Sequence, residues 1–197
     1  MSAADSSPRV EELRLRDMNR SARRRLLDRT VCLVGFMGAG KTSLGRALGS
    51  ALERPFYDAD DYIEETFQRP IPDYFAAGEE AVFRRIESET VHNLLDRPPC
   101  VLALGGGTLD DPTTRAHVYA RSFAVHLVVS WQAVRREAEQ LGGGRPMMDG
   151  RSEAEVHELF LRRQQTYRGA HLRIAPPRGD VDAAAHHVIR CLEQLRG

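Results

Sequence analysis

Val31-Cys32-Leu33-Val34-Gly35-Phe36-Met37-Gly38-Ala39-Gly40-Lys41-Thr42 joins an apolar run to a glycine-rich turn, and a helical pattern through Leu44, Leu48 and Leu52 follows. From Gly35 to Thr42 every fixed position of the P-loop pattern is filled, with a strand before it and a helix after it. Glycines let consecutive N–H groups turn inward on phosphate oxygens, and the helix N-terminus adds a favourable partial charge. The stretch therefore predicts an ATP site built from Gly38, Ala39, Gly40, Lys41, Thr42 and Ser43. Lys41 is expected to reach the β- and γ-phosphates, and the Thr42 hydroxyl to ligate Mg2+.

Outward from this loop, short apolar runs alternate with longer helical patterns, the habit of a parallel sheet covered by helices. Strands are expected near Val31–Val34, Pro55–Tyr57, Val101–Leu104, Ala124–Val129 and Leu172–Ile174. Helix starts carry their own signals. Asp111-Pro112 offers an N-cap with proline at the first helical position, Ser152 with Glu155 makes a capping box, and Asp180 can cap the last helix.

A chain of 197 residues suits one compact α/β domain with a single active site. Its 28 basic and 28 acidic side chains cancel, so no global field argues for nucleic acid or a membrane surface, and any anion site must be local. Cys32, Cys100 and Cys191 are odd in number and widely spaced, as in a reduced cytoplasmic protein without a zinc or disulfide framework. No apolar stretch reaches membrane-spanning length. Residues 1–27 are polar and arginine-rich and read as an N-terminal extension, with Met1 and Met18 both open as starts; residues 28–197 read as the single domain, expected to act as a monomer.

The acceptor side is spread along the chain. Asp58 and Asp60 fall at the carboxyl end of the second strand, where open α/β sheets bind ligands. One can hold magnesium beside Thr42 and the other can accept a hydrogen bond from an attacking hydroxyl, although helix capping would also explain acids there. Gly78 to Glu87 opens a helix in which Val82, Phe83, Ile86 and Thr90 are expected to face the core. This leaves Arg84 for a ligand and Glu87 to brace its guanidinium across one turn. Gly105-Gly106-Gly107 brings backbone N–H groups close to whatever lies over the sheet edge. Gly142-Gly143-Gly144-Arg145-Pro146 reads as a lid, about residues 141–151, with glycine hinges carrying an arginine.

Taken in order, these motifs resemble the shikimate kinase family from Val31 to the C-terminus: the P-loop, Asp58 and Asp60 followed by Ile63-Glu64, Gly78-Glu79 to Phe83-Arg84 and Glu87, the triple glycine, and Arg145-Pro146. The resemblance implies a three-layer α/β/α P-loop kinase with a five-stranded parallel sheet of order 2-3-1-4-5. It also implies transfer of the ATP γ-phosphate to the 3-hydroxyl of shikimate with Mg2+. It assigns Thr42 and Asp58 to magnesium, Lys41 and Arg145 to the transferring phosphate, and Asp60 to the acceptor hydroxyls. Arg84, Gly105, Gly106, Gly107 and Arg163 are assigned to the shikimate carboxylate and ring. Arg163 keeps the family's spacing to Tyr167, with Arg162 the neighbouring choice, while a second lid arginine falls on Arg135 or Arg136. A gluconate kinase-like sugar-acid kinase and a non-catalytic sensor of a cyclic acid are the other readings; an ADP-release assay separates them.

Overall fold

The computed structural model describes residues 28–141, 151–175 and 180–194. Strand β1 (Thr30–Val34) is buried at every position, as a continuous apolar run covered on both faces should be. It leads through the glycine-rich turn into α1 (Lys41–Ala51), then β2 (Phe56–Asp58), α2 (Ala59–Phe67), α3 (Ile71–Ala76) and α4 (Glu80–Leu95). Next come β3 (Val101–Ala103), a 3-10 turn (Thr108–Asp110), α5 (Pro112–Arg121) and β4 (Ser122–Leu127). The chain continues with α6 (Trp131–Leu141), α7 (Glu153–Tyr167), β5 (Leu172–Ile174) and α8 (Val181–Gln194).

The five strands are parallel and lie in the order β2-β3-β1-β4-β5, as expected. Strand order reverses at β1, which has β3 on one side and β4 on the other, so the crevice for ligands opens at its carboxyl end beside the glycine-rich turn. Alternation along β1 feeds two cores. Val31 and Leu33 pack with Leu44 and Leu48 of α1 and Val188 of α8, whereas Cys32 and Val34 pack with Val91 and Leu94 of α4 and Val118 of α5. Truncating a fully buried leucine such as Leu33 to alanine would cost about 2–5 kcal/mol.

The helix caps form as read. Asp111 accepts the Thr114 N–H at 2.6 Å ahead of Pro112, Ser152 and Glu155 close a capping box, and Asp180 accepts the Ala183 N–H at 2.8 Å. Two expectations change. Strand β4 starts at Ser122 and ends at Leu127, which pairs with Ile174, the last residue of β5; the hydroxyl of buried Ser122 donates to the Val118 carbonyl at 2.7 Å. In α4 the buried stripe is Phe83, Glu87, Thr90, Val91 and Leu94, which leaves Val82 38% exposed and Ile86 half-buried. Val82 and Phe83 are a quarter-turn and more apart on the helix, so only one can centre on that stripe, and Glu87, read as the brace of Arg84, lies buried within it. Among the described residues no helix is long and apolar enough to cross a membrane. Residues 1–27 and Gly142–Gly150, with Arg145 and the expected lid hinge, lie outside the described residues.

Candidate active site

The glycine-rich turn closes onto α1 through Gly40, the residue capping the helix, whose φ of 83° lies in the left-handed region that glycine takes without strain. Ala39 donates its N–H to the Phe36 carbonyl at 3.2 Å, tightening the turn, and Gly38 also has positive φ. Lys41, the first residue of α1, donates through Nζ to the carbonyls of Gly35 at 2.9 Å and Phe36 at 3.1 Å, which keeps its ammonium at the mouth of the loop. Ser43 is exposed in the same first turn.

Thr42 donates its hydroxyl to Asp58 Oδ2 at 2.7 Å, linking the first turn of α1 to the end of β2. Asp58 also caps α2, its other oxygen accepting the Asp60 N–H at 3.2 Å, so capping engages one oxygen of this acid and Thr42 the other. Cap formation turns the chain sharply after β2, and Asp60 faces a cavity of about 260 Å³ beside the P-loop. Burial, reinforced by the charges of Glu87 and Asp58 and only partly offset by Lys41, pushes the Asp60 carboxyl up to about 7.

One wall of this cavity is apolar: Met37, Ile71, Phe75 and Phe83. Arg84, Glu87 and Arg163 supply the charges, and Gly105–Gly107 form the floor. Arg84 donates through Nη1 to Glu87 at 2.8 Å and through Nη2 to Glu80 at 3.2 Å. Burial alone would lower the Arg84 pKa; the charges and hydrogen bonds of Glu87 and Glu80 outweigh it and raise the value above the usual arginine range. Glu87 is itself buried, and its second oxygen accepts the Thr108 hydroxyl at 2.6 Å, so both of its oxygens are engaged.

At Gly105 and Gly107 a side chain would crowd the groups gathered around the turn. A Cβ on Gly105 would stand 2.7 Å from both Asp60 Oδ1 and Glu87 Oε1, and one on Gly107 2.7 Å from Arg163 Nη2 and 2.8 Å from Arg84 Nη1. Side chains from α2, α4 and α7 thus converge on one bare stretch of backbone. Arg163 is 1% exposed and reaches this point, whereas Arg162 lies on the exposed side of α7 and lines a neighbouring hollow. Arg135 pairs with Glu153 at 2.9 Å on the surface, and Arg136 is exposed.

Sequence reasoning missed two participants. Asp110 accepts from Arg163, and Tyr167 donates its hydroxyl to the Gly106 carbonyl at 2.7 Å, anchoring the glycine turn to α7. The signal for Tyr167 was present, since it stands four residues after Arg163 and so one helical turn along the same face.

The sequence model described as "SKI: Shikimate kinase" matches residues 37–193. A shikimate kinase of Thermus thermophilus is 35% identical over 163 residues, covering 82% of this chain and 89% of that protein. The shikimate kinase of Geobacillus kaustophilus is 32% identical over 178 residues, covering 89% and 95%. The solved structure of the shikimate kinase of Acinetobacter baumannii in complex with shikimate superposes with a TM-score of 0.78 at 28% identity, covering 89% of this chain and 98% of that one. With the P-loop, the paired arginines and the glycine floor brought to one cavity, the chain belongs to the shikimate kinase family, ATP-dependent kinases that act on an alcohol group.

Proposed function

We propose that this chain transfers the γ-phosphoryl group of ATP to the 3-hydroxyl of shikimate, releasing ADP and shikimate 3-phosphate. The observation that carries the reading is the cavity in which Arg84 and Arg163 flank Gly107 while Asp60 lines the same space beside the P-loop. A small ring acid needs that separation of parts. Planar guanidinium groups bind a carboxylate bidentately at one end, which leaves a hydroxyl for the carboxylate of Asp60 at the other.

Backbone N–H groups of Gly38 to Gly40, with Lys41 and Ser43, hold the ATP phosphates, and Lys41 follows the transferring group. Arg145, assigned from the family resemblance, serves the same phosphate. Thr42 and Asp58 present hydroxyl and carboxylate oxygens 2.7 Å apart, an all-oxygen pair of the kind a hard cation prefers, and are assigned to Mg2+. A cation held by these two residues would supply positive charge against the nucleotide phosphates. Asp60 accepts the hydrogen bond of the acceptor hydroxyl and then its proton, as the new O–P bond forms and the bond to ADP breaks. Met37, Ile71, Phe75 and Phe83 line the acceptor pocket and limit water, which would otherwise compete for the phosphoryl group. Residues 28–197 are read as the catalytic domain, a reading that the family match over residues 37–193 supports, and that domain is read as acting as a monomer.

A coupled assay of ADP release with shikimate, quinate and gluconate tests the assignment. ADP release dependent on shikimate is the expected result. Release with gluconate alone would make the chain a sugar-acid kinase, and shikimate binding without ADP release would make it a sensor.

A further inference from the structure

Arg163 is the most deeply buried charge in the cavity wall, at 1% exposure. Its contacts lie to one side. Nε and Nη2 donate to a single oxygen, Asp110 Oδ2, at 3.2 and 3.0 Å, and the guanidinium carbon sits 5.9 Å from the centre of the Phe36 ring. Nη1 is turned to the glycine floor, 3.3 Å from where a Cβ on Gly106 would stand.

We propose that Asp110 is a positioning residue for substrate binding: by gripping the Nε edge of Arg163, it holds the guanidinium flat against the glycine floor so that the remaining N–H groups meet the substrate carboxylate. The proposal rests on the assignment of Arg163 to that carboxylate made above. Tyr167 and the Gly106 carbonyl tie α7 to the turn, which places the Arg163 backbone; the long side chain still needs its head group fixed. Asp110 is well placed to do this, because it ends the short 3-10 turn that follows the glycines and its own N–H is bonded to the Gly107 carbonyl at 2.9 Å.

Two effects of Asp110 oppose each other. Its negative charge repels an incoming carboxylate, and its grip orients the group that binds one. Orientation should dominate, because the Asp110 side chain is 35% exposed and its charge is screened by water, while the contact with Arg163 is direct and its partner is buried. Without Asp110 the guanidinium would be drawn to the other acids of the cavity wall, Glu87 and Asp60, which meet beside Gly105. Arg84 shows the same design, with Glu80 and Glu87 holding its two terminal nitrogens.

The test is a double-mutant cycle of Asp110→Asn and Arg163→Ala, reading kcat, the KM values for shikimate and ATP, and Tm. Asp110→Asn should raise the shikimate KM about tenfold, with kcat and the ATP KM changed less than about twofold, as for a group that orients a binding residue. In the Arg163→Ala background the same change should add nothing, and Asp110→Glu, which keeps the charge, should restore part of the loss. An unchanged shikimate KM in Asp110→Asn, or an equal penalty in the Arg163→Ala background, overturns the proposal. So does a parallel loss of Tm and ATP affinity in both Asp110→Asn and Asp110→Glu, which would mark the contact as a simple brace. If Arg163→Ala itself leaves the shikimate KM unchanged, the site assignment falls and this proposal with it; if Arg163→Ala raises it and Asp110→Asn does not, only Asp110 loses its role.

Discussion

Lys41 is held by two carbonyls of its own loop, so its ammonium is a fixed point charge at the start of α1. An interaction that strengthens as charge moves onto the leaving phosphate lowers the barrier more than it tightens binding. Lys41→Ala should therefore reduce kcat by about two to three orders of magnitude. Alanine is a good helix former, so Tm should stay within a few degrees of the parent; kinetics beside a thermal melt check both. Single residues were legible in the sequence where a motif fixes their spacing, as for Lys41 and Thr42, whereas Asp58 and Asp60 were told apart only by the family resemblance. Arg163 and Arg162 show the limit. Adjacent on one helix, they differ by burial, which the chain acquires only when α7 packs. Asp110 was hidden for another reason: next to it stands Asp111, whose capping signal with Pro112 accounts locally for an acidic pair, while the partner of Asp110 lies 53 residues away.

At the scale of the element, the triple-glycine turn has a job that its backbone angles do not reveal. Gly107 has φ of −103°, which any residue adopts, so the obstacle to a side chain is the pair of guanidinium groups against it. Both are ends of flexible arms and can give way. Gly107→Ala should accordingly leave Tm little changed while raising the shikimate KM about tenfold through displaced arginines, with the ATP KM unaffected. Strand β4 makes a different prediction. His126 is fully buried within it, and neither ring nitrogen has a partner among the described residues. Burial, with the charges of Arg173 and Lys41, pushes its pKa down to about 3. Unfolding frees the ring to titrate near its ordinary value, so between those two values the unfolded chain binds the extra proton. The fold therefore loses stability as pH falls below about 6.5. His126→Phe should flatten that loss by about 1.4 kcal/mol per pH unit at most, measured as the difference in urea stability from parent between pH 4.5 and 7.5. An identical slope in both proteins would place the titration elsewhere. Helix α4 was only partly readable: periodicity marked its apolar face and spacing paired Glu87 with Arg84, but hydrophobicity alone put Val82 inside and could not show that Glu87 would be buried with the Thr108 hydroxyl as a second partner.

For the whole molecule, hydrophobic runs predicted five strands buried on both faces and left their order open, because such runs state burial and not neighbours. The order came from the family resemblance, and it matters because it sets β2 and β3 on one side of β1 and so carries Asp58, Asp60 and the glycine turn to the P-loop. The cavity consequently draws on α2, α3, α4, the glycine turn and α7, elements spread over more than a hundred residues, with the P-loop at its edge. A ligand that bridges them binds only the folded chain and must stabilise it by mass action. At a concentration of about 100 times its Kd, shikimate should add about 2.7 kcal/mol. For a domain of this size that corresponds to a rise in Tm of about 5–11 °C. Arg163→Ala should abolish the shift at that shikimate concentration while leaving the shift produced by a non-hydrolysable ATP analogue intact, because the proposed site gives the phosphates to the P-loop and not to α7. Loss of both shifts in Arg163→Ala would mean that α7 supports the entire crevice, and retention of both would remove Arg163 from the acceptor site.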